Sequence, residues 1–588
     1  MSVRSLGALS VGILLFAIFS VSTAVQAQAP SFPVGAPQPG PPAPRMQMPA
    51  RDTAADVPAG TARIRGRVVA ADTGSPLRRA QVRVAASDQR VNRTVNSDAD
   101  GTYEFVDLPA GRYNIFVTRS GYVSLQFGQR RPFESGRPLD VADAQIVEKI
   151  DFALPRGGVI AGRVTDEVGE PLAGIRMQAM RYQYLPGGQR QLMPVGGGTP
   201  FGFATNDLGE FRLYSLMPGT YIVSATPFEI GGMASPGSPV SRPDDGHGVT
   251  YYPGTVNVDE AQGITVGIAE IASASFALVP QRMTRITGLV RDSHGKPVAA
   301  SLGLRTQSGG TAMSMRGLTT AGPDGRFSAA NVPPGEHFIE VSPGRGGDES
   351  ASVPITADGQ DITDLVITTS PGKTIAGEVI FEGGPAGPTA MRVNVSSPEP
   401  GSPPLTRIFD NTQGIVDEKG RFEIRGVSPG RALFNAFPAV PGAGGSTWFV
   451  KSVTIDGQNV VDTPYDLSDV KEDTRIEIVM SNKQTTISGT VRNARGEQVI
   501  DYTVVVFPAR LQDGAIGARY TRTVRADQQG RFQARGLPPG DYLAIAVESL
   551  EQGGQWDPSF RQQVEPAAKR FRLAEGETAT VDLQLAEP

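Results

Sequence analysis

The chain has no cysteine, two tryptophans and three histidines in 588 residues, and aromatics are only 7% of it. Without cysteine there is no disulfide, so each folded part must be held by its own apolar core. A thiol nucleophile and a lipid-bearing cysteine behind a leader are excluded with it. Charge of one sign is also scarce. A net −5 is small for this length and gives no reason to expect nucleic acid or an anionic membrane as partner. Helical periodicity is nearly absent, and the one long apolar run lies at the N-terminus.

Glycine and proline are plentiful instead, 70 and 48 residues. That is the composition of many short strands joined by turns. At about 100–200 residues per domain, the length suggests about three to six domains. Residues 1–27 are expected to be a secretory signal: Arg4 gives the positive end, Leu6 to Val21 the apolar run, and Val25-Gln26-Ala27 the cleavage site. The run is short for a spanning helix of roughly 20 residues, so no membrane span is expected after cleavage. Residues 28–61 form a Pro/Ala-rich linker with little to bury.

Beyond it, one pattern occurs five times. A turn glycine is followed by a short apolar strand, a Pro-Gly corner and a second strand. The glycine pairs are Gly101/Gly111, Gly209/Gly219, Gly325/Gly335, Gly420/Gly430 and Gly530/Gly540, always ten apart. The spacing predicts a β-hairpin arm between two tight glycine turns. Each copy opens on an alternating strand with a central glycine: Gly66, Gly162, Gly288, Gly377 and Gly489. Period-two alternation turns that glycine to the core, where the aromatic of the arm is expected to cross it: Phe105, Phe211, Phe327, Phe422 or Phe532. Two residues past the corner stand Tyr113, Tyr221, His337, Ala432 and Tyr542. About seven strands per copy predict an all-β tandem array of about five Greek-key β-sandwiches, at 62–156, 157–281, 282–371, 372–484 and 485–588. Short connections suggest a stiff file of domains, roughly 150 Å long at about 13 Å radius of gyration per 100 residues.

The I-x-G-x-V opening strand, the G-x-P-L turn, the D-x-x-G-x-F turn and the L-P-x-G-x-Y corner resemble the carboxypeptidase regulatory-like domain. The resemblance implies a prealbumin-like (transthyretin-like) sandwich. It is closest in the first, second and fifth copies. His337 departs from it in the third, and Ala432 makes the fourth the most divergent. Such modules occur beside metallocarboxypeptidases, on outer-membrane receptors and in secreted proteins, so the family implies a fold more than an activity.

Chemistry is thinly represented. His337-Phe338-Ile339-Glu340 has zinc-ligand spacing, yet on a strand its ends point to opposite faces. Asn96 to Gly101 partly matches a calcium loop but reads better as a plain turn. Lys373 and Lys483 merely precede opening strands, so no isopeptide cross-link is expected. No nucleophile elbow or phosphate loop occurs. No catalytic residue, metal or cofactor is therefore expected, and the protein is not expected to be an enzyme. The candidate ligand contacts are aromatic, since sugar rings dock on exposed Tyr and Trp. They are Tyr182, Tyr184, Tyr251 and Tyr252 in loops of the second copy and Trp556 in the fifth. Against this stands the alternative that they cover sandwich ends or pack between domains. The expectation is a secreted (periplasmic or extracellular) non-catalytic binding or structural protein of the cell envelope. The alternatives are a carbohydrate-binding protein and an accessory subunit of a secreted enzyme or transport system. The partner would be polysaccharide or another envelope protein.

Overall fold

The computed structural model describes residues 60–86, 91–195, 203–227, 229–230, 233–234, 245–307, 314–343, 349–382, 391–398, 414–438, 448–471, 474–510 and 517–586. They belong to one compact unit, Ala55–Pro588. The expected signal, nearly all of the linker, and much of the Gly/Pro tracts at 231–248, 398–404 and 438–445 lie outside the described residues. No described helix is long and apolar enough to cross a membrane.

Among the described residues, the alternation seen in the sequence becomes five pairs of sheets, each pair around its own apolar cluster, with two further two-stranded sheets, Glu229–Ile230 with Met233–Ala234 and Asp245–His247 with Pro280–Arg282. In the first, the opening strand Ala62–Ala70 is flanked by Thr102–Leu108 (antiparallel) and by Ile146–Val147 and Phe152–Leu154 (parallel). Facing it are Asn92–Asn96, Gln81–Ala86, Gly111–Thr118 and the short strands Leu125–Gln126 and Leu139–Val141. Ile64, Val68, Val82, Val84, Phe105, Ile115 and Val117 fill the space between the sheets. The same order recurs from the opening strands Gly158–Thr165, Thr284–Arg291, Lys373–Glu382 and Thr486–Arg492. In the fourth, an extra strand, Phe449–Ile455, adds antiparallel to the closing strand Ile476–Ser481.

Four expectations are corrected. The arm is not a hairpin. The strand after the turn glycine pairs with the opening strand, whereas the strand after the corner pairs in the other sheet, as Gly111–Thr118 does with Gln81–Ala86. The corner crosses between layers, which is what a Greek-key connection requires.

The corner glycines, for the same reason, do not make a second tight turn. Gly111, Gly219, Gly335 and Gly540 are the first residues of the strands after the corner, and Gly430 directly precedes Arg431–Pro438. They already lie in the ladder of the facing sheet: Gly111 opposite Val141, Gly219 opposite Val266, Gly335 opposite Ala357 and Gly540 opposite Leu573. Their backbone is correspondingly opened out, with φ of 158° at Gly219, 136° at Gly335 and 140° at Gly430, and no positive φ at Gly111 or Gly540. The angles at Gly335 and Gly430 are ones that residues with a side chain rarely adopt. Space is short only at Gly219, where a Cβ would stand 3.1 Å from Phe133; at Gly111, Gly335 and Gly540 it would make ordinary contact, 3.7 Å from Tyr113, 3.7 Å from the His337 ring and 3.6 Å from Tyr542.

The aromatic opposite the opening-strand glycine is also displaced in the first copy. Gly66 lies opposite Tyr103, as Gly162 does Phe211, Gly288 Phe327, Gly377 Phe422 and Gly489 Phe532. Phe105 sits opposite Ile64, buried, with its ring edge-on to Tyr103 at 6.0 Å. Tyr103 holds the position two past the turn glycine, and its hydroxyl donates to the Ile150 carbonyl at 2.6 Å.

What approaches the opening-strand glycine most closely is backbone. A Cβ on Gly66 would stand 1.9 Å from the Ile150 oxygen. The corresponding distances are 2.4 Å from Ala274 O at Gly162, 2.1 Å from Leu365 O at Gly288, 2.2 Å from Ile476 O at Gly377 and 2.2 Å from Val581 O at Gly489. The parallel closing strand turns a carbonyl into the space a side chain would take. In the third, fourth and fifth copies the aromatic ring closes the same space, 2.8–3.0 Å from that Cβ.

The turn glycines are all left-handed, with φ of 74°, 71°, 73°, 80° and 70° from first copy to fifth. Four residues before each corner glycine stands a second left-handed residue: Asp107, Ser215, Asn331, Gly426 or Gly536, with φ between 55° and 72°. In the first four copies the opening-strand ladder shifts register there, so this residue forms a bulge that starts the crossing. The bend expected at the corner glycine is thus made four residues earlier.

The file arrangement is overturned as well. The fifth copy touches the first, second and fourth: Arg525 pairs with Glu134, Arg181 with Glu551, and Arg519 with Asp462. Short connections favour a file only if the sandwich sides do not attract one another. Here they carry complementary charge.

Gly288→Ala should lower stability by about 1–3 kcal/mol, because backbone and ring must both give way. Asp107→Gly, which relieves left-handed strain, should gain up to about 1 kcal/mol. Denaturant unfolding of the two variants beside the native chain checks the opposite signs.

Candidate functional site at the junction of the first, second and fifth repeats

Most groups that could do chemistry are already bonded. The His337 ring is buried; its Nε2 lies 2.7 Å from the Pro333 carbonyl and its Nδ1 3.1 Å from Thr306 Oγ1. This is the tyrosine-corner bond made by Tyr113 to Pro109 O (2.6 Å), Tyr221 to Met217 O (2.5 Å) and Tyr542 to Pro538 O (2.6 Å). Ala432 has no ring to make it. Glu340, on the opposite face, pairs with Arg305 and accepts from Ser352 Oγ at 2.9 Å. The His337/Glu340 spacing therefore does not converge. The Asp98 carboxylate accepts from the amides of Asp100 (3.0 Å) and Thr102 (2.8 Å), the Asx turn that Asn206, Asp417 and Asp527 repeat. Lys373 does not precede the opening strand but begins it, and its Nζ donates to the carbonyls of Ser468 (2.6 Å) and Val470 (2.8 Å).

The aromatic candidates divide. Tyr251 is buried among Met180, Leu192 and Val258, a second apolar cluster outside the main core, and offers no face to a ligand. Tyr252 is half-buried with its ring edge-on to Phe276 at 5.9 Å. Tyr182 packs on the cluster around Tyr251, and the Arg190 guanidinium covers its ring at 3.8 Å. Both Tyr182 and Tyr184 lie on a strand, Ile175–Tyr184, rather than in a loop. Trp556 ends a short 3-10 turn, Gly554–Trp556, that leads into the helix Pro558–Val564. Tyr184 and Trp556 come from repeats far apart in sequence yet flank one junction. Gly553 abuts the Tyr184 backbone, and Gly188 faces Pro558 and the Trp556 carbonyl.

That junction is built by the segment 130–137, Arg-Arg-Pro-Phe-Glu-Ser-Gly-Arg. Phe133 reaches the second repeat. Its ring lies edge-on to Tyr221 at 6.4 Å, and the Arg181 guanidinium rests on it at 3.5 Å. The Phe133 carbonyl accepts from the Gln552 amide of the fifth repeat at 2.9 Å. Beside it, Glu134 pairs with Arg525 at 2.5 Å; their side chains are 4% and 3% exposed. Arg525 also pairs with Asp501 and donates to the Ser135 carbonyl at 2.9 Å, while Arg130 reaches Asp501 at 2.8 Å. Arg137 donates to the carbonyls of Ala526 and Asp527. Burial holds its guanidinium below the ordinary value, and the Asp501 carboxylate opposes that shift.

Magnitudes rank these contacts. Arg131–Glu548 is more than half exposed on both sides and contributes at most about 1 kcal/mol. Removing Arg525 from the buried pair costs about 3–5 kcal/mol, since the Glu134 carboxylate then stays buried with only the Arg130 and Arg131 amides to satisfy it. The sequence reading missed this segment, although three arginines and a phenylalanine in eight non-alternating residues are unusual for a surface loop. It also missed the helix Pro558–Val564, whose signature is present: Asp557 accepts from the Ser559 amide at 2.8 Å, ahead of a first-turn proline. Phe560 and Val564 cover Val505, Phe507, Leu543 and Ile545 on the outer face of the sheet. The unbroken apolar run Val504–Phe507 already implied a strand buried on both sides.

The family model of the carboxypeptidase regulatory-like domain matches residues 63–154. No curated protein matches. Among solved structures, the Bacillus anthracis TIE protein is 13% identical with a TM-score of 0.13; the match covers 68% of this chain and 65% of that protein. A streptococcal ancillary pilin is 11% identical over 53% of this chain and 99% of its own, TM-score 0.18. The shaft pilin SpaA from Lactobacillus rhamnosus GG is 12% identical over 37% and 96%, TM-score 0.19. At such TM-scores these likenesses carry no functional conclusion.

Arg525→Met should loosen the fifth repeat from the first by about 3 kcal/mol, read as faster proteolysis at the junction with unchanged circular dichroism. Tyr542→Phe leaves the Pro538 carbonyl unpaired and should cost about 1–2 kcal/mol. Burial pushes the Tyr221 phenol up to about 12, from an ordinary 10.0, and raises Tyr542 as well. The fold favours the protonated form, so this stability is intact below pH 10 and is lost as pH rises through the folded value. Phenolate absorbance and circular dichroism should therefore change together in that window.

Proposed function

We propose, on the premise that residues 63–154 are a carboxypeptidase regulatory-like domain, that the protein is a non-catalytic binding and spacing protein of the cell envelope or extracellular space. Each pair of sheets is one domain, and the domains pack into a fixed scaffold that presents loops and sheet faces to a partner. One observation carries the reading: among the described residues, the groups whose spacing suggested chemistry and the buried charges of the junction are engaged in structure. His337 serves a corner, Glu340 holds Arg305, Asp98 closes its own turn, and Glu134 and Asp501 neutralise Arg525.

Carbohydrate binding is a second reading, favoured by the half-buried Tyr184 and Trp556 on either side of one junction. Immobilised envelope polysaccharide and envelope protein fractions separate the two. Retention on protein, unchanged by Tyr184→Ala and Trp556→Ala, is expected for the scaffold. Retention on polysaccharide that falls at least about tenfold (about 1.4 kcal/mol) in either variant supports the second reading. Turnover of ester, peptide or glycoside substrates that one substitution abolishes would overturn both.

A further inference from the structure

The junction that joins the ends of the chain is made of two different, complementary surfaces. One is the segment 130–137 of the first repeat with Arg181 of the second. The other, in the fifth, comprises Asp501, Arg525 to Gln528 and Glu548 to Gln552. We propose that these surfaces also recognise each other between two copies of the chain, the fifth repeat of each copy docking on the first and second repeats of the other. This goes beyond the scaffold reading and stands whether or not the envelope is its setting.

Three observations carry it. The junction is held largely by charge: Arg130, Arg131, Arg181 and Arg525 on one sign, Glu134, Asp501, Glu548 and Glu551 on the other. Contacts between regions of one chain that are this polar resemble transient protein–protein interfaces. The partners are separated by about 390 residues, most of them in folded repeats, so closure within one chain is a ring-closing reaction with a finite effective concentration. Crowded copies compete with it. Finally, a reciprocal exchange satisfies both surfaces of both copies and closes on a two-fold axis without any new contact. Salt weakens the exposed pairs first, Arg131–Glu548 with both side chains more than half exposed, and so favours the open chain.

The test uses full-length chains with complementary charge reversals. Glu134→Arg brings like charges together within one copy, and so does Arg525→Glu in another; alone, each should run as an open monomer with a larger hydrodynamic radius. Mixed, they restore both pairs only between copies. Light scattering should then show a one-to-one dimer, with affinity at least tenfold above either variant's self-association. The double variant Glu134→Arg/Arg525→Glu should run as a compact monomer, which shows that the sandwiches fold. The proposal is overturned if the mixture stays monomeric while the double variant is compact, if the single variants remain as compact as the native chain, or if a ladder of larger species forms instead of a dimer.

Discussion

The fold depends on one contact made five times: a closing-strand carbonyl set against the bare α-carbon of the opening strand. The two strands run parallel, and a parallel partner must return across the whole sandwich before it can pair. At Gly66, Gly162, Gly288, Gly377 and Gly489 any Cβ would collide with that backbone. In the first, second and fifth copies the closing strand breaks there into two short pieces and resumes on the other side. The glycine thus lets a bent strand complete a sheet that a straight one would miss. The aromatic ring beside it fills the remaining gap, and Tyr103 adds a hydrogen bond to the same carbonyl.

Period and punctuation carried most of this into the sequence. The alternating strands, the left-handed turn glycines and the corner tyrosines are all readable, because each is a local demand on residue type. The corner glycines were visible but misleading: Gly219, Gly335 and Gly540 begin strands, and a glycine that opens a strand looks the same in sequence as one kept for a turn. The left-handed bulge was not visible, since Asp107, Ser215, Asn331, Gly426 and Gly536 share a conformation but no side chain. The Phe105 misplacement has a similar root. Two aromatics stand near Gly101, and only pairing to the opening strand decides which faces Gly66.

The junction was less legible for a different reason. Arg525 and Glu134 are ordinary surface residue types, and their burial together is a property of two repeats meeting. No periodicity reports it. Tyr184 and Trp556 illustrate the converse: each was singled out alone, and their proximity follows from how the fifth repeat packs. Tyr251, chosen for the same chemistry, lies in a small core that an insertion brings with it. Aromatic content in a loop therefore says little until the loop's own burial is known.

Because the fifth repeat rests on the first, tension between the two ends of the chain would load the ionic junction before any sheet. Ladders of backbone hydrogen bonds within each sandwich yield together, whereas side-chain pairs across the junction let go singly. A pull on the ends would therefore meet a handful of arginines at the junction as well as the sheets.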